Sequence, residues 1–198
     1  MSLCKLPEVF VEDPHHIYPE IKRPSDEAYA AVMARAAKQA ADTIIVDRKR
    51  KKIVLSYRLV YTMKDRFWNF GGSIDAREPY PEAARRTFAR DAGLDLPTER
   101  FIYVRQHRVF SAIRGEIPQN AGEDCLTFQF AVHLTDEEIS RLKPGAGRYS
   151  GLRGFSREDL AADRRLAPQL KFYDAVFGWR ARIKRAVMRF LDWLLPED

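Results

Sequence analysis

A chain of 198 residues can close one domain around a sizeable core and carry modest extensions, but it is too short for two large domains. With 45% hydrophobic and 31% charged residues, its composition excludes long-range disorder and fibrous repeats. A net charge of +6 favours anionic partners without separating nucleotides from nucleic acid or a membrane surface, and two cysteines, Cys4 and Cys125, supply neither a disulfide framework nor a structural zinc set.

Residues 1–24 are rich in Pro and His without periodicity and read as an N-terminal arm. The start has no basic segment followed by an apolar one, and no apolar run approaches the roughly 20 residues of a bilayer span, so a cytoplasmic protein is expected. From Ser25 to Ala41, a capping residue, early acids and an Ala-rich run predict a helix. Two β-branched runs, Thr43–Asp47 and Lys52–Thr62, flank the basic block from Arg48 to Lys52 and predict a hairpin. Its turn is either a solvated loop or an anion contact. Phe67-Trp68-Asn69-Phe70 leads into Gly71-Gly72, and the prolines before Glu82 with Gly93 beyond predict a helix over 81–92. Strands are predicted over 100–110 and 125–134, separated by a polar loop from Ser111 to Asp124 where a substrate lid could sit. A Gly-rich loop over 143–154 precedes a short helix opened by Ser156 and Asp159 at capping-box spacing. A long helix closes the chain, with Gly178 a potential break. The expected division is an arm over 1–24, a domain over 25–170 and a basic amphipathic helix over 171–198.

The chemistry concentrates on one spacing. Gly72, Glu78, Arg86, Phe88, Gly93 and Leu94 fall on the pattern G-x5-E-x7-R-E-U-x-E-E-x-G-U, where U is a bulky apolar residue. This resembles the Nudix box. A loop and helix of this kind must deliver hard oxygen ligands to a divalent cation beside a diphosphate. Residues three and four apart share one helix face, so an acid-rich second half converges on the ion. Here the three acidic positions of that half are Thr87, Arg90 and Asp91, and only Asp91 keeps a carboxylate. The pattern is similar to the nucleotide-sugar branch, the GDP-mannose hydrolases, which also keeps only the last acid. The layout agrees in the helix before the first strand, Arg58 ending the second, Phe67-Trp68 before Gly-Gly, Gln106-His107 after the box, and the acidic segment Thr135–Glu138.

The resemblance spans residues 25–165. It implies an α/β fold of Nudix type, with a mixed sheet sandwiched by helices, plus the N-terminal arm and an extra C-terminal amphipathic helix. It further implies Mg2+, or Mn2+, held by Asp91 and the carbonyl of Gly71 or Gly72, with Arg58 and Arg86 neutralising the diphosphate. The branch's Gln-His base loop corresponds here to Gly147-Arg148-Tyr149-Ser150, and an ordinary tyrosine is a poor base at neutral pH. His107 is then the candidate base, or else a structural histidine of its strand. Glu78 either pairs with Arg86 to orient the box loop or ligates metal, and Asp91 either holds a cation or pairs with Arg90 or Arg86. Arg90 would repel a second cation and can bind phosphate bidentately. Trp68 either stacks on a base or sugar or belongs to the core.

The expected function is a Mg2+-dependent hydrolase of a nucleoside diphosphate linked to another moiety, foremost a nucleotide sugar. The alternative is a catalytically impaired Nudix-fold module that binds a nucleotide or a protein partner. In the terminal helix, Trp179, Ile183, Val187, Phe190, Leu191 and Leu194 share a face opposite Arg182, Arg185 and Arg189. Packing on the domain, a homodimer seam, and contact with a membrane surface or protein partner all fit that pattern.

Overall fold

The computed structural model describes residues 36–60, 63–114 and 122–178, together with Ser25, Ala28 and Asn120. In chain order the elements are β1 (Lys38–Asp47), β2 (Lys52–Arg58), β3 (Arg66–Trp68), β4 (Phe70–Ser73), α1 (Tyr80–Ala92), a 3-10 turn (Thr98–Arg100), β5 (Ile102–Ser111), β6 (Glu123–His133), α2 (Asp136–Ser140), β7 (Tyr149–Phe155), α3 (Arg157–Ala162) and α4 (Ala167–Phe177). The strands form one mixed sheet in the order β3-β2-β1-β6-β5, with β4 added to β1 and β7 to β2. β1 is its axis. It runs parallel to β6 from Lys38↔Cys125 to Val46↔His133, and its other edge is shared antiparallel by β4 and β2.

A central strand has both faces covered, which explains the unbroken apolar run Ile44-Ile45-Val46. On one face Ala41, Ile45, Phe70, Phe128 and Phe130 pack against Ala83, Ala84, Phe88 and Ala92 of α1. On the other, Ile44, Val46, Ile53, Leu55 and Val104 pack against Leu160 of α3 and Phe172, Tyr173 and Val176 of α4. The architecture is the expected helix–sheet–helix sandwich. α1 has Pro79 at its N-cap and ends at Gly93, whose φ of 68° lets its N–H reach the Ala89 carbonyl at 3.0 Å. Both short helices α2 and α3 carry complete capping boxes, Thr135 with Glu138 and Ser156 with Asp159.

Three sequence expectations change. The helix predicted over Ser25–Ala41 does not extend to Ala41, because Lys38–Ala41 begin β1. Pairing with both β6 and β4 outweighs the helix propensity of those alanines. Ala28 is helical and its N–H donates to Ser25 Oγ at 3.3 Å, and the rest of that segment lies outside the described residues. The segment predicted as loop over 143–154 ends in strand β7, paired with β2 from Arg58↔Tyr149 to Ile53↔Phe155. A register shift at Ser56/Tyr57, with Gly151 at φ 59°, breaks the alternation that would have marked it. The terminal helix runs over Ala167–Phe177, across position 170, and stops at Gly178. The amphipathic face beyond it, the arm over 1–24 and residues 115–119 and 121 of the 111–124 loop lie outside the described residues, while Ser111 belongs to β5 and Glu123 and Asp124 to β6.

Phe88, the apolar position inside the box spacing, is fully buried, with ring centroids 5.9 Å from Phe70 and 5.6 Å from Phe101. Phe88→Ala is expected to lower unfolding free energy by about 3–5 kcal/mol in urea denaturation, with the fold retained.

Candidate functional site

Strand pairing sets Gly71 opposite Asp42 and Gly72 opposite Ala41. A Cβ at Gly71 would lie 2.1 Å from Asp42 Oδ1, and one at Gly72 would lie 3.0 Å from an Arg90 nitrogen. The Gly-Gly pair is therefore a close approach, with a carboxylate packed against one residue and a guanidinium against the next.

At the end of α1, Asp91 is only 1% exposed. Arg90 Nε donates to its Oδ1 at 2.6 Å and Arg90 Nη2 to its Oδ2 at 2.8 Å, while the same Nη2 donates to the Gly71 carbonyl at 3.2 Å. The Tyr149 hydroxyl donates to Asp91 Oδ2 at 3.2 Å, and Arg148 Nη1 stands 3.7 Å from Oδ1. The Asp91 pairing with Arg90 raises the Arg90 pKa further, against the opposing effect of burial. Burial pushes the Tyr149 hydroxyl pKa upward, so it is no base near neutrality.

A divalent cation does not fit these residues. Both Asp91 oxygens and the Gly71 carbonyl already accept from Arg90, and Thr87 Oγ1 turns back to the Ala83 and Ala84 carbonyls. Among the described residues no group of three His, Cys, Asp or Glu side chains could hold a metal.

Glu78 and Arg86 form a separate fork. Arg86 Nε and Nη2 each donate to Glu78 at 2.6 Å, and Nη2 also reaches the Ser73 carbonyl at 2.9 Å. Burial acts against the Glu78 carboxylate, yet Arg86 and the Asp75 amide hold its pKa below the usual range. The pair ties the box loop to the end of β4 and leaves Glu78 little capacity for a metal.

The opposite face of the sheet carries a cleft. Its inner hollow is lined by Asp42, Arg58, Trp68, Gly71, Gly72 and Glu123. Burial lifts the Asp42 pKa to about 6, against Arg58 and the Trp68 indole, whose Nε1 donates to Oδ2 at 3.4 Å. Trp68 is buried and also edges a wider hollow of about 630 Å³, lined by Arg66, Arg105, His107, Arg108, Arg164 and Lys171 with Phe110 and Phe172. Arg108 pairs with Asp124 at 2.8 Å, whereas Arg66, Arg164 and Lys171 have no ion-pair partner among the described residues. His107 packs on Phe172 at 4.9 Å, and burial followed by the Arg105 charge lowers its pKa to about 4. Gln106 points to the other face, as the next residue of a strand must.

The fold thus gathers Arg58, Trp68 and Gly72 around Asp42, joins Arg90 to Asp91 and Gly71, sets His107 in the wider hollow, and keeps Arg86 with Glu78 apart. Sequence reasoning missed Asp42, Arg148 as a partner of Asp91, and the cleft cations. A lone acid ahead of the apolar run of β1 was the available signal for Asp42.

Solved structures similar to this one include the MutT NUDIX hydrolase from Burkholderia pseudomallei, with TM-score 0.52 and 20% identity over 69% of this chain and 99% of that one. The NUDIX domain of Shewanella oneidensis NrtR, in complex with ADP ribose, has TM-score 0.53 and 13% identity over 81% and 99%. A NUDIX hydrolase from Nitrosomonas europaea has TM-score 0.53 and 13% identity over 74% and 90%. The chain has the Nudix fold. No protein-family model and no curated protein sequence matches it.

The folded Asp42 pKa of about 6 stands above its ordinary 3.8, so the folded protein holds this proton more tightly than the unfolded chain does. Stability from this group is present below about pH 4 and is lost as pH rises through about 6. Asp42→Asn is expected to raise unfolding free energy by about 2–3 kcal/mol near neutrality and by almost nothing near pH 4, in urea melts at both values.

Proposed function

We propose that the chain binds a nucleoside diphosphate derivative, in the finer assignment a nucleotide sugar, as a Nudix-fold module whose box helix no longer holds a metal. The observation that carries this is the Arg90 guanidinium on both Asp91 and the Gly71 carbonyl, with a basic and aromatic cleft on the other face of the sheet. Cations recognise phosphate oxygens, and aromatic faces accept a base. Arg66, Arg164 and Lys171 supply the first, and the exposed Phe110 ring the second, with Trp68 and Phe172 as buried walls. The ADP ribose named with the Shewanella domain is a ligand of this chemical class.

A second reading, hydrolysis of the same ligand, is favoured by Asp42. Its carboxylate faces the inner hollow with a pKa of about 6 and could accept a proton from water there. Mg2+ dependence, which the resemblance implies, has no complete donor set among the described residues, and hydrolysis would have to proceed without a cation on Asp91.

Calorimetry with nucleoside diphosphates and nucleotide sugars, followed by product analysis, tests both readings. Arg164→Glu and Lys171→Glu are expected to weaken binding at least about tenfold each. Metal-stimulated turnover that Asp91→Ala abolishes would replace the binding reading with the hydrolase.

A further inference from the structure

We infer that the Arg90 guanidinium takes the place of a divalent cation in this fold, making the C-terminal end of α1 a metal-independent subsite for a diphosphate. The inference rests on the reading above that the chain binds a nucleoside diphosphate derivative, and it places the diphosphate at Arg90 and Arg148 instead of at the cleft cations.

The resemblance implies a cation held by Asp91 and the Gly71 or Gly72 carbonyl. Arg90 bridges the same two groups, with Nε and Nη2 on Asp91 at 2.6 and 2.8 Å and Nη2 on the Gly71 carbonyl at 3.2 Å. The bridge is fixed in orientation, because Asp91 is buried and also accepts from Tyr149. The cations are not buried with it. The Arg90 and Arg148 side chains are 42% and 54% exposed, so one hidden carboxylate holds two outward guanidiniums. That cluster bears one net positive charge, the same as a divalent ion on a single carboxylate.

The second glycine leaves room for the Arg90 guanidinium against the strand. A Cβ at Gly72 would stand 3.0 Å from Nη2 and 3.5 Å from Nη1 of Arg90. With Nε and Nη2 engaged by the protein, Nη1 and Arg148 are left to meet phosphate oxygens. Guanidinium suits this task because it stays charged and donates in a fixed plane. Asp91 is then a positioning residue that acts through Arg90.

The test is calorimetric titration of the full chain with inorganic pyrophosphate in metal-stripped buffer. Binding is expected without added metal, and excess Mg2+ is expected to weaken it by sequestering the pyrophosphate. Arg148→Gln, which leaves the Arg90–Asp91 fork in place, is expected to lower affinity about tenfold with an unchanged melting temperature. Arg90→Lys keeps the charge but not the fork and is expected to lose a similar factor. Binding that requires Mg2+ or Mn2+, no binding under either condition, or wild-type affinity in Arg148→Gln overturns the inference. Pyrophosphate carries no base or sugar. Its failure beside intact nucleotide binding rejects this subsite alone, and nucleotide binding lost by Arg164→Glu but not by Arg148→Gln supports the cleft alone.

Discussion

Asp91 is a carboxylate out of water at the negative end of a helix dipole, where an anion is unfavourable without positive charge beside it. The chain meets that demand with Arg90, Arg148 and Tyr149, and the rest of the site follows from how those three arrive. Arg90 reaches β4 through the Gly71 carbonyl. The segment after α2 lies across the last turn of α1, where the Lys143 and Gly145 amides donate to the Ala92 and Asp91 carbonyls at 2.8 Å. It then delivers Arg148 and Tyr149 and enters β7, whose Tyr149 pairs with Arg58 at the end of β2. A single ion pair thereby joins helix, glycine strand and edge strand.

Two carboxylates near the Gly-Gly pair have different surroundings. Asp91 is covered by guanidiniums. Asp42, one strand away, is desolvated first and relieved only in part by Arg58 and Trp68, which leaves it close to neutrality at about 6. The strand that separates them can do so only because neither of its central residues carries a Cβ. Asp42 opens onto the inner hollow, and an anionic ligand there would raise its pKa further, least if the phosphates lay on the far side near Arg66, Arg164 and Lys171.

Much of the fold was legible because its signals are local. Pro79, Pro81 and Gly93 bracket α1, Ser156 caps its helix, and the β-branched runs mark β1 and β2, whereas the Thr135 cap of α2 was read only as an acidic segment. β7 was not legible, since a Gly-rich edge strand with a bulge has no alternation to read. Nor was the start of β1, where alanines that favour a helix in isolation are claimed by two neighbouring strands. At the site, the Glu78–Arg86 fork and the loss of acids at Thr87 and Arg90 could be read from spacing. That Arg90 would turn onto Asp91 and Gly71 could not, because it depends on where β4 passes the helix end. The cleft cations come from β3, β5, α4 and the turn before it, positions far apart in sequence that only the sheet brings together.

The central claim is that a guanidinium fills the position of a cation. Adding Mn2+ to uniformly 15N-labelled protein tests it directly, because a bound paramagnetic ion broadens amides close to it. The account expects no selective broadening at Gly71, Gly72 and Asp91, with the Arg90 Nε–H resonance unchanged. Stoichiometric broadening of those amides, together with loss of that resonance, would contradict it.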